Sequence, residues 1–141
     1  MRLAILLLLL PLQAHAWTFT PGLICRLSHD TNQARIELTY DPSKPLYSVT
    51  VSTPKPLPHE NIFSMRFIGP AGRMISTPRH TFNADGTAVT AEDSGFGNVL
   101  DGLQHNQIAE AILGSTVIRF DLTDAAEPTA QFRACEVAAG A

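Results

Sequence analysis

The sequence has few charged residues and no motif that binds phosphate. Lys, Arg, Asp and Glu make up 16% of the chain, and the 10 basic residues are scattered rather than grouped into the stripe that a nucleic-acid backbone requires. Neither G-x-x-x-x-G-K-S/T nor G-x-G-x-x-G occurs. We therefore expect no nucleic-acid partner, no bound nucleotide and no cofactor.

Long apolar runs are also scarce, and the only one lies at the N-terminus. Arg2 precedes an apolar stretch over residues 3–12, and Ala14-His15-Ala16 precedes Trp17. A charged start, a short apolar run and an A-x-A site are typical of a secretory signal peptide, and this run is about half of the roughly 20 residues that a membrane helix needs. We expect a signal peptide over residues 1–16, a periplasmic or secreted protein, and no membrane span in the mature chain.

Cleavage after Ala16 would leave a chain of the size of one domain. Residues 17–141 keep nine basic and all 13 acidic residues, which gives the mature chain a net charge of −4. The 125 residues that remain of 141 are enough to bury a core without a metal ion. We predict a single β-rich domain over residues 17–137 and a disordered tail over residues 138–141.

Only two cysteines occur, Cys25 and Cys135. In an exported chain two distant cysteines most simply form one structural disulfide, whereas a redox-active pair is usually arranged as C-x-x-C. The predicted bond closes a loop of 135 − 25 = 110 positions and ties the first strand to the last helix. The chain-entropy model assigns to a loop of about 100 residues a stabilisation of roughly 4–5 kcal/mol.

Alternation of apolar and polar residues predicts about seven short strands. Tight-turn residues at 41–45 predict an antiparallel hairpin around them, and Asn83-Ala84-Asp85-Gly86 is typical of a hairpin turn. The candidate segments are residues 23–29, 33–40, 46–53, 61–68, 73–77, 79–83, 87–92 and 116–122, of which 73–77 and 79–83 are short and separated by Pro78.

Two segments have helical rather than strand spacing. Apolar residues recur at nearly helical spacing and predict a helix over about 103–113 that ends at Gly114. Pro128 suits the first turn of a second short helix over about 128–136. Together the elements predict a mainly β protein, built as a single antiparallel β-sandwich or partly open barrel with two short helices.

Residues capable of chemistry are few and dispersed. The four histidines that remain after cleavage have neither the spacing of a helical zinc site nor a Cys–His cluster, so we predict no metal site and expect His29, His59, His80 and His105 on the surface. Asp93-Ser94-Gly95 resembles the D-S-G core of some serine hydrolases, but the glycines of G-x-S-x-G are missing. A triad of Ser94 with His80 or His105 stays open as an alternative, and we assign no catalytic residue.

Phe63, Met65 and Phe67 share one face of the predicted strand over residues 61–68. Such a row usually belongs to the core, and we expect these three side chains to do so. β-Sandwiches and barrels also hold apolar ligands in clefts, so an apolar groove lined by the three side chains stays open as an alternative.

The segment over residues 115–135 resembles the C-terminal part of invasion-associated locus B-like proteins. The shared pattern is a strand of the form v-x-F-x-L-t, a short spacer, an alanine-rich helical turn and F-R-A-C, and the family's usual glycine after the strand is Asp124 here. The resemblance implies a small exported bacterial protein with a β-rich fold. The matching residues are Phe120, Leu122, Ala125, Ala126, Phe132, Ala134 and Cys135.

Three further segments, WTFTPGLICRLSH, FSMRF and GFGNVLDGLQ, resemble a family of short exported alphaproteobacterial proteins without assigned activity. Members of that family often carry the label of the helicase-like component of the ABC excinuclease. This chain contradicts that label, because it has a signal-peptide pattern, no phosphate loop, no basic patch and far too few residues for a helicase-like repair protein.

These observations predict an exported, non-enzymatic β-domain that binds a protein or a cell-envelope component. Two alternatives stay open. One is a hydrolase of envelope polymers or esters that uses Ser94 with a His/Asp pair. The other is a carrier of a small apolar ligand held behind Phe63, Met65 and Phe67.

Overall fold

The structure, a computed structural model, describes residues 16–139, which form ten β-strands and two α-helices. The predicted signal peptide, apart from Ala16, lies outside the described residues. The helices are α1 (Gly97–His105) and α2 (Ala126–Ala139). The strands are β1 (Thr18–Thr20), β2 (Cys25–Asp30), β3 (Arg35–Asp41), β4 (Leu46–Ser52), β5 (Phe63–Ile68), β6 (Arg73–Thr77), β7 (His80–Phe82), β8 (Ala88–Asp93), β9 (Ile108–Leu113) and β10 (Thr116–Asp121).

Two antiparallel sheets build the domain. Sheet A has the strand order β1-β2-β3-β4-β8-β7, and sheet B has the order β10-β9-β5-β6. The apolar residues of both sheets and both helices form one buried cluster. Within the described residues neither sheet closes into a barrel, so the predicted mainly β fold is confirmed as a β-sandwich-like arrangement, with ten strands rather than about seven.

The hairpin of β3 and β4 shows how the sequence specifies a strand pair. Buried apolar residues alternate with half-buried polar residues along both strands, as expected for strands with one wet face. The register pairs Asp41 with Leu46. Asp41 accepts the backbone N–H of Ser43 at 2.9 Å, which closes the turn. The predicted hairpin is therefore confirmed.

The predicted helix over residues 103–113 is wrong over most of its length. α1 ends at His105, and residues 108–113 form β9, which lies between β5 and β10 in sheet B. The side-chain amide of Asn106 donates to the carbonyl of Gly102 at 3.0 Å and also bonds the main chain of Ala71, so the chain turns away from the helix there. A buried central strand is apolar on both faces, and its spacing resembles that of a helix. Pairing with two neighbouring strands decides the outcome.

The second helix is longer than predicted. α2 begins before residue 128 and includes Ala138 and Ala139, which we expected in the tail, while residues 140–141 lie outside the described part. Asp124, just before α2, has a φ of 61°, in the left-handed region that favours glycine. Between residues 16 and 139, both helices are too short or too polar to cross a membrane.

Both ends of the described chain are fixed to the domain. The predicted Cys25–Cys135 disulfide is confirmed, and its Cα atoms lie 6.6 Å apart, within the usual range. The indole N–H of the buried Trp17 donates to the carbonyl of Asp121 at 2.8 Å, and its ring stacks on His29 with a centroid distance of 4.9 Å. His29 is itself buried, so the expected surface position is wrong for this residue, because Trp17 covers it.

We expect substitution by alanine to affect stability differently at two glycines of α1. A β-carbon on Gly102 would lie 2.5 Å from Cγ of the buried Phe67, so Gly102→Ala should force the helix outward and lower the free energy of unfolding by about 1–3 kcal/mol. Gly97 faces open space, so Gly97→Ala should leave stability unchanged or raise it by up to about 1 kcal/mol. Urea denaturation of both variants measures the difference, and equal losses would contradict the assigned contact.

Candidate functional site

A cleft of about 180 Å³ lies between the two sheets at the end of β7. β7 pairs with β8 only as far as Ala91. Glu92 and Asp93 of β8 therefore extend beyond the end of β7, although they still pair with β4 on the other side. β6, the edge strand of sheet B, borders the opposite wall. The segment that leads into α1 closes a third side. The cleft therefore results from strands of unequal length at a corner of the sandwich.

The floor of the cleft is apolar. Phe63 and Met65 of sheet B line it and are 2% and 3% exposed, and Val49 and Ala91 line it from sheet A. Phe67, the third residue of the predicted apolar groove, lies outside this lining and packs under α1. The floor can accept an apolar group, and core packing holds its side chains in place.

The rim of the cleft is polar and carries a net negative charge. Arg79, Glu92 and Asp93 border the mouth and are exposed. Asp93 accepts the backbone N–H of Ser94 at 2.7 Å, which fixes the turn after β8. One guanidinium and two carboxylates give these three groups a net charge of −1. An apolar group with a neighbouring cation matches this arrangement.

Ser94 lies between two residues that line the cleft, Asp93 and Gly95, but is not itself part of the lining. The Ser94 hydroxyl lies 3.4 Å from Oδ1 of Asp93. His80 uses Nε2 in a 2.8 Å hydrogen bond with the carbonyl of Glu60, and His105 ends α1 on an exposed surface. Among residues 16–139 no hydrogen bond joins Ser94 to either of these histidines. The hydrolase alternative stays a prediction without a geometric basis.

His59 and His80 both pack on the ring of Phe82. His59 stacks on Phe82 with a centroid distance of 4.2 Å, and His80 meets the edge of the same ring at 5.5 Å. In the part of the chain that the structure describes, no three His, Cys, Asp or Glu side chains come close enough together to hold a metal ion. These histidines therefore contribute to packing at the β7 edge.

A second polar arrangement crosses the outer face of sheet B. The strand register places Arg119, Glu110, Arg66 and Met74 side by side on β10, β9, β5 and β6. Glu110 is 1% exposed, and its two oxygens accept Nε of Arg66 at 2.7 Å and Nη2 of Arg119 at 3.0 Å. The arginine side chains remain 47% and 63% exposed. One carboxylate thus holds two guanidinium groups in place, with a net charge of +1.

The environment of Glu110 shifts its titration. Burial by itself would raise the pKa of the Glu110 carboxyl, but the hydrogen bonds and positive charges of Arg66 and Arg119 outweigh burial and lower the pKa below its ordinary value. The hydrogen bond from Arg133 on α2 likewise lowers the pKa of Asp101 on α1. Both carboxylates are therefore stabilised in their charged forms by the fold.

We expect Glu110→Gln to weaken the protein at neutral pH by about 1–3 kcal/mol and to reduce its loss of stability in acid. Because the pKa of Glu110 is lower in the folded protein than in the unfolded chain, the unfolded chain binds a proton at higher pH than the folded protein does. The stabilisation by Glu110 is therefore complete above pH 4.5 and is lost as the pH falls through the lowered pKa of the folded protein. Urea denaturation between neutral pH and acid measures the slope. The exposed Glu127→Gln variant is the matched control, and an equal effect there would contradict the assignment to Glu110.

Glu110 is the functional candidate that the sequence did not predict, because the spacing of residues 103–113 favours a helix. In the structure, residues 108–113 alternate between the two faces of sheet B, and Glu110 lies on the outer face opposite Arg66 and Arg119. The same alternation is readable as a period of two, so a strand interpretation would have placed Glu110 on one face with Ile108 and Ile112.

Comparison with known proteins adds no relative on which to base a function. No protein-family model, no curated protein and no solved structure matches the chain. The resemblances described from the sequence therefore stay predictions. Function has to be inferred from the N-terminal pattern, the cleft and the outer face of sheet B.

Proposed function

We propose that the chain is an exported binding module that receives an apolar side chain of a protein partner in the cleft between its sheets. Export is supported by Arg2, the apolar run and the A-x-A site, and the disulfide is compatible with an oxidising compartment. The observation that carries the binding proposal is the open, apolar floor of buried side chains beneath a charged rim.

The size of the cleft favours one side chain over a whole small molecule. Its volume is about 180 Å³, whereas pockets for drug-sized ligands have about 300–1,000 Å³. A lipid chain or a complete envelope fragment would leave most of its apolar surface outside. The cleft therefore supports the carrier alternative less well than it supports recognition of a protein segment.

The charge of the rim favours a cation beside the apolar anchor. A Lys or Arg of the partner can pair with Glu92 and Asp93, whereas a Glu at the same place is repelled. Exposed ion pairs contribute only about 0.2–1 kcal/mol each, so we assign the affinity to the apolar floor and the choice of partner to the rim.

An NMR titration with two short peptides tests this proposal. The probes are acetyl-Leu-Lys-amide and acetyl-Leu-Glu-amide, added to the ¹⁵N-labelled mature protein. We expect the backbone signals of Ser76, Glu92 and Gly95 to shift with the Lys peptide, and to shift less with the Glu peptide at equal concentration. Equal shifts with both peptides, or shifts confined to residues outside the cleft, would overturn the proposal.

A charge reversal at the rim sharpens the test. Glu92→Lys should reverse the preference, so that the Glu peptide causes the larger shifts at Ser76 and Gly95. Glu127→Lys makes the same change of charge at an exposed position on α2 and is the matched control. The same reversal in the control would show that net charge, rather than the rim, decides the preference.

A further inference from the structure

The outer face of sheet B combines exposed apolar side chains with the two arginines held by Glu110. The register pairs Val117 with Ile112 on one side of the charged row and Ile68 with Ile108 on the other. The first of these rows also contains Ser64, and the second ends at Asp121. Met74 on β6 pairs with Arg66 and is the last residue of the charged row. We name this surface the arginine face, and it consists of Ser64, Arg66, Ile68, Met74, Ile108, Glu110, Ile112, Val117, Arg119 and Asp121.

The apolar residues of the arginine face are unusually open to solvent. Ile68, Met74 and Val117 are 40%, 57% and 47% exposed, and they are three of the six large apolar side chains exposed in the described residues. A sheet with one wet face normally carries polar residues there. Met and Arg, by contrast, are enriched at protein–protein interfaces. The composition of this face therefore favours an interface over an ordinary solvated surface.

We infer that the arginine face binds an acidic segment of a protein partner, at a surface separate from the cleft. Arg66 and Arg119 each direct Nε and Nη2 toward Glu110, and the exposed remainder of each guanidinium can donate to a carboxylate of the partner. Glu110 holds both groups in position before binding, which reduces the entropy lost on association. Apolar side chains of the partner then cover the flanking rows.

Charge favours an acidic protein segment over a second copy of this chain and over an anionic membrane. A two-fold pair of this chain that stacks the charged row on itself would bring four guanidinium groups against two carboxylates, so like charges would meet. Recruitment to an anionic membrane uses clusters of about 4–8 basic residues, whereas this face has two arginines around one glutamate. A protein segment with one or two carboxylates among apolar residues matches both the charge and the apolar rows.

Calorimetry with a pair of synthetic peptides tests the inference. The probes are acetyl-Leu-Glu-Leu-Glu-Leu-amide and its uncharged counterpart with Gln in place of Glu, added to the mature protein. At low ionic strength we expect the Glu peptide to bind at least tenfold more tightly than the Gln peptide, with a smaller difference at about 1 M salt because salt screens exposed charges. Equal affinities would overturn the inference.

Two pairs of variants locate the binding surface. Arg119→Gln should weaken binding of the Glu peptide at least fivefold, whereas Arg26→Gln, which removes a similarly exposed arginine paired with Glu37 on sheet A, should not. Met74→Ser should also weaken binding. Leu23→Ser removes an apolar side chain that is 94% exposed on a loop and is its control. Met74 and Leu23 are both exposed, so this pair still tests the surface if Arg119→Gln fails to fold.

The remaining outcomes separate this inference from the proposed function. Binding to vesicles that contain phosphatidylglycerol but not to the Glu peptide would overturn the choice of a protein partner. Loss of binding in the control variants would overturn the choice of surface. The cleft variant Glu92→Lys should leave the effect of Arg119→Gln unchanged, so the cleft and the arginine face can fail independently.

Discussion

Replacing Trp17 by alanine will lower the free energy of unfolding by about 3–5 kcal/mol, the range for a buried tryptophan that is truncated to alanine. Trp17 is 3% exposed, and its indole N–H donates to the carbonyl of Asp121 at 2.8 Å. The variant loses this hydrogen bond and uncovers His29, on which the ring stacks. Urea denaturation of a protein that consists of residues 17–141 measures the loss.

The control for this result is Trp17→Phe, which keeps a ring over His29 and removes the N–H donor. We expect it to cost about 1–2 kcal/mol, because the hydrogen bond at this partly buried position is no longer made. A loss below about 1 kcal/mol for Trp17→Ala would show that the segment at the predicted cleavage site frays without affecting the domain, contrary to the packing described for Trp17.

Removing the disulfide will cost about 2–5 kcal/mol. The bond joins Cys25 at the start of β2 to Cys135 in α2, across a sequence separation of 110 residues. Without it, the unfolded chain gains conformational freedom, and α2 loses its covalent link to sheet A. The double variant Cys25→Ser, Cys135→Ser, compared with the parent by urea denaturation, measures the effect.

The reduced parent protein is the control for the disulfide, because it loses the bond without any change of side-chain volume. We expect it to unfold at nearly the same urea concentration as the double variant. Stability that is equal in the oxidised parent, the reduced parent and the double variant would contradict the role of the bond in closing the domain.

The sequence predicts local elements well where apolar residues alternate between turn residues. The β3–β4 hairpin is an example, because its strands have one buried and one wet face and a short turn fixes their register. The disulfide could also be predicted, since a chain with only two cysteines leaves a single pairing within the chain. In both cases the signal lies in a few neighbouring residues or in a simple count.

The features that could not be predicted depend on which distant segments become neighbours. The residues of β9 favour a helix by their spacing because a central strand has apolar residues on both faces, and its partners β5 and β10 are not evident from its own residues. The cleft exists because β7 stops pairing at Ala91 while β8 continues to Asp93. The burial of Glu110 requires arginines from two other strands, so it too is a property of the assembled sheet.

Export followed by closure through one disulfide is the central claim. Intact-mass spectrometry under non-reducing conditions, on unfractionated protein produced from the full 141-residue sequence in a bacterial host, tests both parts at once. We predict the mass of residues 17–141 less two hydrogen atoms, with both hydrogens regained on reduction. The mass of the full 141-residue chain with two free thiols would contradict the claim, because the chain would then be neither processed nor oxidised.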